Sequence, residues 1–83
     1  MPAEPAVVVD GGDQGCGELL LALHRRVRGL EVGTQVRLIS TDPGAVHDLP
    51  AWCHLTGHQY LGRTSTADDR PAYDFAIAPR SSP

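Results

Sequence analysis

The first part of the chain contains one strand-like and one helix-like hydrophobic pattern. A β-branched run at 6–9, followed by Asp10 and two glycines, predicts a short buried strand. Four apolar residues then recur at helical spacing: Leu20, Leu23, Val27 and Leu30. Because this spacing gives one apolar face, it predicts an amphipathic helix over 16–28. A glycine directly after that range is a typical helix end.

The middle of the chain predicts a second strand and a second helix. The strand is expected over 34–41 and the helix over 43–56. Asp42 is the predicted N-cap and Pro43 the predicted first helical residue. Pro50 lies inside this helix and is expected to kink it or split it in two, because proline lacks the N–H that a helix interior uses.

The last part of the chain predicts a β-hairpin. Its strands are expected over 58–64 and 72–78, joined by a polar connection. Within the second strand, Tyr73, Phe75 and Ile77 alternate with smaller or polar residues. This alternation is typical of a strand that buries one face.

The resulting order, β-α-β-α-β-β, predicts an α/β (α+β) fold. Both helices must bury their apolar faces, so the simplest arrangement is a two-layer sandwich: a four-stranded mixed sheet with two helices on one face. The first crossover should be right-handed if its two strands are parallel. We expect a single domain at 6–78, with flexible ends at 1–5 and 79–83.

Composition excludes several classes of function. The 83 residues include seven basic side chains, all arginine, and the net charge is -3. The lack of lysine excludes a Schiff-base or P-loop lysine. Without a basic excess, and with 5% aromatic residues, we expect no direct nucleic-acid binding. The longest apolar run, 19–23, is too short for a membrane span, and no signal peptide is evident, so we expect a cytoplasmic protein.

Cys16 is the strongest candidate for chemistry, since it stands where the first loop becomes the first helix. Free N–H groups and the helix dipole at that end favour a thiolate. Gly15 and Gly17 flank the cysteine and leave its sulfur little shielded. A nucleophilic or sulfur-carrying cysteine needs this environment. The alternative is a buried cysteine that acts as a small apolar side chain.

Two segments share an order of features with a known family. A short strand leads through Asp10 and a glycine-containing loop to Gly15-Cys16-Gly17-Glu18-Leu19, and an amphipathic helix follows. Further on, Asp42-Pro43 opens a helix that contains Asp48-Leu49-Pro50. This order resembles the TusA/SirA-like family of sulfur carriers, over 6–78. The family has Cys-Pro-x-Pro at the cysteine, whereas this chain has Cys-Gly-Glu-Leu.

The resemblance implies a sulfurtransferase-type carrier rather than a stand-alone enzyme. Cys16 would accept a sulfane sulfur as a persulfide, with Gly15, Gly17 and Glu18 supporting the site. The donor would be a protein such as a cysteine desulfurase or a rhodanese-like protein, and the acceptor a DsrE-like protein or a thiolation enzyme. The resemblance implies no cofactor. It leaves open whether the pathway is tRNA thiolation, molybdenum cofactor synthesis or sulfur metabolism.

A second hypothesis comes from a different class of function. Because both motif prolines are replaced, at Gly17 and Leu19, the chain would be a divergent non-carrier member of the family. It would then serve as an interaction or redox-regulatory module in which Cys16 is only redox-sensitive. In either case we expect a monomer or a weak homodimer.

Structural roles are expected for Asp42, Pro43, Pro50 and Cys53. Cys53 is in phase with the apolar face of the second helix, where burial would make its thiol inert. The alternative is a resolving thiol that forms a disulfide with Cys16. We expect no metal site, because the spacing of the potential ligands is unsuitable. These are Cys53, His24, His47, His54 and His58, with the histidines expected at the surface.

Overall fold

The computed structural model describes residues 5–12 and 15–78, which contain four strands and two helices. The elements are β1 (Val7–Asp10), α1 (Cys16–Val27), β2 (Gln35–Ile39), α2 (Ala45–Thr56), β3 (Gln59–Ser65) and β4 (Pro71–Ala76). Of the ends expected to be flexible, at 1–5 and 79–83, residues 1–4 and 79–83 lie outside the described residues. Over the described part, neither helix is long and apolar enough to cross a membrane.

The four strands form one mixed sheet in the order β1-β2-β4-β3. β1 pairs with β2 in parallel, and β4 is antiparallel to both β2 and β3. The strands β1, β2 and β3 therefore run in the same direction, with β4 inserted between the last two. This arrangement confirms the predicted mixed sheet and β-α-β-α-β-β order.

Both helices contribute to a single hydrophobic core with the sheet. The buried residues of this core are Leu19, Leu23, Val27, Val36, Leu38, Ala45, Leu49, Cys53, Tyr73, Phe75 and Ile77. The predicted alternation is confirmed, since Tyr73 and Phe75 in β4 and Ile77 directly after it are all buried. Phe75 is fully buried and makes an edge contact with the ring of Trp52, at 5.5 Å between ring centroids.

The buried face of α1 includes Leu23 and Val27 as predicted, but its first position shifts by one residue, from Leu20 to Leu19. Leu19 is 1% exposed, whereas Leu20 only packs partly against the core. Gly11 explains the shift, because a Cβ built there would lie 2.6 Å from a methyl carbon of Leu19. The missing side chain at Gly11 thus provides the space that Leu19 fills.

The predicted start of α2 is two residues too early. The helix begins at Ala45, with Gly44 at the N-cap, and Pro43 belongs to a preceding turn. Asp42 stabilises this turn instead of capping the helix: its carboxylate accepts from the Gly44 N–H at 3.4 Å and its C=O from the Ala45 N–H at 3.1 Å.

Of the two effects expected of Pro50, a kink or a split of the helix, the split does not occur. α2 is one continuous helix from Ala45 to Thr56, with Pro50 inside it. The cost of the missing proline N–H is offset because the helix is anchored on both sides of the proline. Leu49 and Cys53 are buried in the core, and Gly57 ends the helix in a left-handed conformation with its N–H on the Cys53 C=O.

Candidate functional site

The candidate site lies at the end of the molecule where the parallel strands finish. Because β1, β2 and β3 share a direction, their carboxyl ends and the amino ends of both helices meet there. In α/β folds this edge commonly holds the functional site. The structure confirms that Cys16 is the first residue of α1, at this edge.

The amino end of α1 leaves backbone N–H groups without helical acceptors. Gly15 is the N-cap, in an extended conformation, and makes no side-chain cap. The first helical hydrogen bond is donated by the Leu19 N–H to the Gly15 C=O, at 3.0 Å. The N–H groups of 16–18 precede this bond and are therefore suited to an anion at the helix start.

Gly17 and Glu18 present little obstruction around this helix start. Both are exposed, and a Cβ built at Gly17 would meet no atom within 4 Å. Glu18 is the third residue of α1. At that position its carboxylate favours the helix dipole. The backbone around Cys16 is thus open to a large partner.

The beginning of the loop that leads to Cys16 is held by hydrogen bonds to the last residue of β2 and to Thr41 just after it. The Gly11 N–H donates to the Ile39 C=O at 2.8 Å. The Gly12 C=O accepts twice from Thr41, from its N–H at 2.9 Å and from its hydroxyl at 3.0 Å. Gly12 has a φ of 54°, a conformation that glycine adopts readily. The beginning of the loop is therefore fixed.

An ion-pair network holds the same loop from the other side. The Asp10 carboxylate accepts from the Gly12 N–H at 3.0 Å and from Arg70 at 3.0 and 3.2 Å. Arg70 also donates to Asp68 at 3.0 Å, and Asp68 in turn accepts from the Thr66 hydroxyl. The hydrogen bonds from Arg70 and from the Gly12 N–H lower the pKa of Asp10.

Sequence reasoning did not find the role of Arg70. Asp10 and Arg70 are 60 positions apart, and only the insertion of β4 into the sheet brings the β3–β4 connection beside the end of β1. The sequence shows only a single arginine beside two aspartates in the connection between β3 and β4. A local pattern of this kind gives no information about a partner 60 positions away.

We expect Arg70→Gln to loosen the loop before Cys16 while the fold remains intact. The charged partner of Asp10 is lost, so the Gly12 N–H should exchange with solvent several-fold faster, as measured by amide hydrogen exchange. Because this ion pair is exposed, its effect on global stability should be small. Arg25→Gln is the matched control, an exposed arginine far from Asp10. Unchanged exchange at Gly12 would contradict a role for Arg70 in holding the loop.

Cys53 lies apart from this edge, in the core between α2 and the sheet. It is 1% exposed, as predicted, and burial raises the pKa of its thiol to about 12. Cys53 is a free thiol in the structure. A buried thiol that remains protonated at neutral pH is a poor nucleophile.

The histidines do not form a metal site in the part of the chain that the structure describes. No group of three or more metal-binding side chains occurs within residues 5–12 and 15–78. His54 is exposed, in agreement with the predicted surface position. His58 is not a simple surface residue: it is half-buried, and its Nδ1 accepts from the Ala78 N–H at 3.2 Å.

Comparison with known proteins identifies the family. A family model described as "Sulfurtransferase TusA" matches residues 8–77. The chain belongs to the TusA family. A TusA relative in Pseudomonas putida, named "Sulfur carrier protein TusA", is 35% identical over 63 residues, which are 76% of this chain and 79% of that protein. A relative of the same name in Pseudomonas entomophila is 36% identical over 59 residues, 71% of this chain and 74% of that protein.

The TusA match confirms the resemblance seen in the sequence. It includes the loop after β1, Cys16 at the start of α1, and the α2 segment with its internal proline. The two segments that carry the family pattern, one around Cys16 and one beginning at Asp42, lie at the same end of the sheet. The reason is that they follow the carboxyl ends of β1 and β2, which are adjacent parallel strands.

Proposed function

We propose that this protein carries sulfur as a persulfide on Cys16 and relays it between larger proteins. The supporting observation is the position of Cys16 as the first residue of α1, where Gly15 provides no side-chain cap and the neighbouring described residues are exposed. Family membership and the names of the relatives, sulfur carrier proteins, support the same role.

The chemistry requires two thiol exchanges and no net oxidation. First, the Cys16 thiolate attacks the terminal sulfur of a donor persulfide, so a new S–S bond forms at Cys16 and the donor thiolate leaves. Second, an acceptor thiolate attacks the outer sulfur on Cys16, and the Cys16 thiolate leaves. In both steps the protein contributes N–H groups at the helix start, which favour the anionic sulfur.

The structure suits a relay between proteins better than catalysis on a small substrate. Gly15, Gly17 and Glu18 are exposed, so a partner can approach the helix start directly. We propose a persulfide-bearing donor protein, of the desulfurase or rhodanese type, and a thiol-bearing acceptor protein of the DsrE-like or thiolation-enzyme type. Transfer by direct contact keeps the reactive sulfur away from solvent thiols during the exchange.

The loading experiment uses the intact chain and a small persulfide donor. After incubation with glutathione persulfide and removal of the donor, intact-mass spectrometry should show an adduct of one sulfur atom. The adduct should disappear when dithiothreitol is added, because a thiol reduces a persulfide. Failure to load under these conditions, with the thiol shown to be free by alkylation, would refute the carrier role.

A second candidate function is supported by the acidic surroundings of the helix start. The side chains of Asp10, Glu18 and Asp42 all belong to this end of the molecule, and carboxylates oppose a thiolate nearby. If these carboxylates keep the Cys16 thiol protonated, the chain would be a redox-regulatory or interaction module rather than a carrier. The rate of Cys16 alkylation against pH separates the two: a midpoint clearly below about 8.5 supports the carrier, and a midpoint at or above it supports the alternative.

A further inference from the structure

A separate cavity of about 260 Å³ lies at the opposite end of the molecule from Cys16. It is bounded by the last turn of α1, the connection before β2, the end of α2 and the end of β4. Its apolar wall consists of Val27, Leu30, Val32 and Ile77. Backbone hydrogen bonds hold two sides of the wall together, from the Gly33 N–H to the Ile77 C=O at 2.7 Å and from the Ile77 N–H to the Thr34 C=O at 2.9 Å.

His58 gives this cavity a fixed polar side chain. Its Nδ1 accepts the Ala78 N–H, so in the neutral ring the Nε2 atom carries the proton and can donate. The ring is packed against Trp52 and Phe75, at 5.4 and 5.9 Å between centroids. Burial, and then the nearby His24, lower the pKa of His58, which favours the neutral donor form.

Two further nitrogen-bearing side chains, those of His24 and Arg28, line the same cavity, and none of its described lining residues carries a carboxylate. Arg28 has no salt bridge with any carboxylate in the described ranges, whereas Arg37 and Arg70 are both paired. The carboxylate closest in sequence, Glu31, is exposed and is not part of the lining. An unpaired cation beside an apolar cavity is complementary to an anion with an apolar body.

Over the described residues the charges are unevenly divided between the two ends, although Arg70 lies at the Cys16 end and Glu31 at the opposite end. The acidic residues of the Cys16 end are Asp10, Glu18, Asp42, Asp48, Asp68 and Asp69. The basic or imidazole side chains of the opposite end are His24, Arg25, Arg26, Arg28, His54 and His58. The helix dipoles account for cations in the last turns, but they do not account for a cavity with three nitrogen side chains at its wall.

We propose that this cavity binds a small carboxylate with an apolar body. The carboxylate would accept from Arg28, His24 and the Nε2–H of His58, and the apolar body would lie against Val32 and Leu30. Charge-assisted hydrogen bonds to a carboxylate are the stronger kind, and the apolar wall supplies burial. This site is independent of the proposed sulfur chemistry, because its lining shares no residue with the Cys16 end.

The test uses benzoate as the probe and the Cys16→Ser variant as the protein, so that sulfur chemistry cannot contribute. In a ¹⁵N-resolved NMR titration, benzoate should shift the amides of Val32, His58 and Ala78 in a saturable way. Benzyl alcohol, which has a similar apolar body and no charge, should bind at least about tenfold more weakly.

Variants then distinguish a built site from a simple crevice. Arg28→Gln and His24→Gln should each weaken benzoate binding by about threefold to tenfold, and Arg25→Gln, an exposed arginine of the same helix that does not line the cavity, should not. The exposed positions of His24 and Arg28 make unfolding of these variants unexpected. Equal binding of benzyl alcohol, shifts confined to other residues, or unchanged affinity in Arg28→Gln would each overturn the proposal.

Discussion

Cys16→Ser should abolish the one-sulfur adduct completely, whereas Cys53→Ala should keep it at the level of the unmodified chain. The reason is the different environment of the two residues. Cys16 is the first residue of α1, between the exposed Gly15 and Gly17, whereas burial of Cys53 in the core raises the pKa of its thiol to about 12 and keeps it protonated at neutral pH. Intact-mass spectrometry after incubation with glutathione persulfide measures both variants.

Alanine is the better replacement at Cys53, because a serine hydroxyl would be buried there among apolar side chains. Circular dichroism should show that both variants keep the fold. An adduct that persists in Cys16→Ser, or one that is lost in a folded Cys53→Ala variant, would place the working sulfur on Cys53 and contradict the proposed site. The same pair of variants tests the disulfide alternative: a resolving role for Cys53 requires a mass loss of two hydrogens in the oxidised unmodified chain.

The order of the elements could be predicted from the sequence because each element carries its own local pattern. The alternation of Tyr73, Phe75 and Ile77 identifies β4 without reference to the rest of the chain. The β-branched run of β1 and the spacing of Leu23 and Val27 in α1 are equally local. Because both helices have one apolar face, a two-layer arrangement with the sheet was the natural solution.

Features that depend on distant residues could not be predicted in this way. The ion pair between Arg70 and Asp10 exists because β4 is inserted beside β2, and the pattern of neither segment contains that information. Pro50 was expected to kink α2 or split it in two, and the split does not occur, because Leu49 and Cys53 are buried in the core on both sides of the proline. Local propensity is in this case outweighed by tertiary packing.

The choice between Leu19 and Leu20 as the first buried residue of α1 also depends on a residue outside the helix. Periodicity alone accommodates Leu19 or Leu20 equally well, since Leu23 and Val27 are at helical spacing from both. The choice is made by Gly11, the residue directly after β1, whose missing side chain leaves space for Leu19. This contact also links the position of the Cys16 loop to the core, because Gly11 begins that loop.

Proline introduced at the two positions where the family motif has it, 17 and 19, should have very different effects on the free energy of unfolding. Gly17→Pro should change the free energy of unfolding by no more than about 1 kcal/mol. The Gly17 N–H lies before the first hydrogen bond of α1, so its removal breaks no helical bond. A Cβ built at Gly17 would meet no atom within 4 Å. Because proline disfavours a helical conformation in the residue before it, Cys16 should become the N-cap and the helix should begin at 17.

Leu19→Pro should instead destabilise the domain by about 3 kcal/mol or more. It removes the N–H that donates to the Gly15 C=O at 3.0 Å, and it removes a side chain that is 1% exposed in the core. For a chain of this size, whose total stability is on the order of 4–12 kcal/mol, such a loss should leave much of the protein unfolded in mild urea. Leu19→Ala separates the two contributions, since it keeps the N–H and should cost about 2–5 kcal/mol.

Urea denaturation followed by circular dichroism measures all three variants on the same scale. If Leu19→Pro proved as stable as the unmodified chain, the packing of Leu19 against Gly11 could not be what fixes the start of α1. If Gly17→Pro unfolded the domain, the N–H of Gly17 or the helical conformation of Cys16 would be required for folding. The expected result is that this chain tolerates the first proline of the family motif and excludes the second, because only the second position is filled by a core side chain.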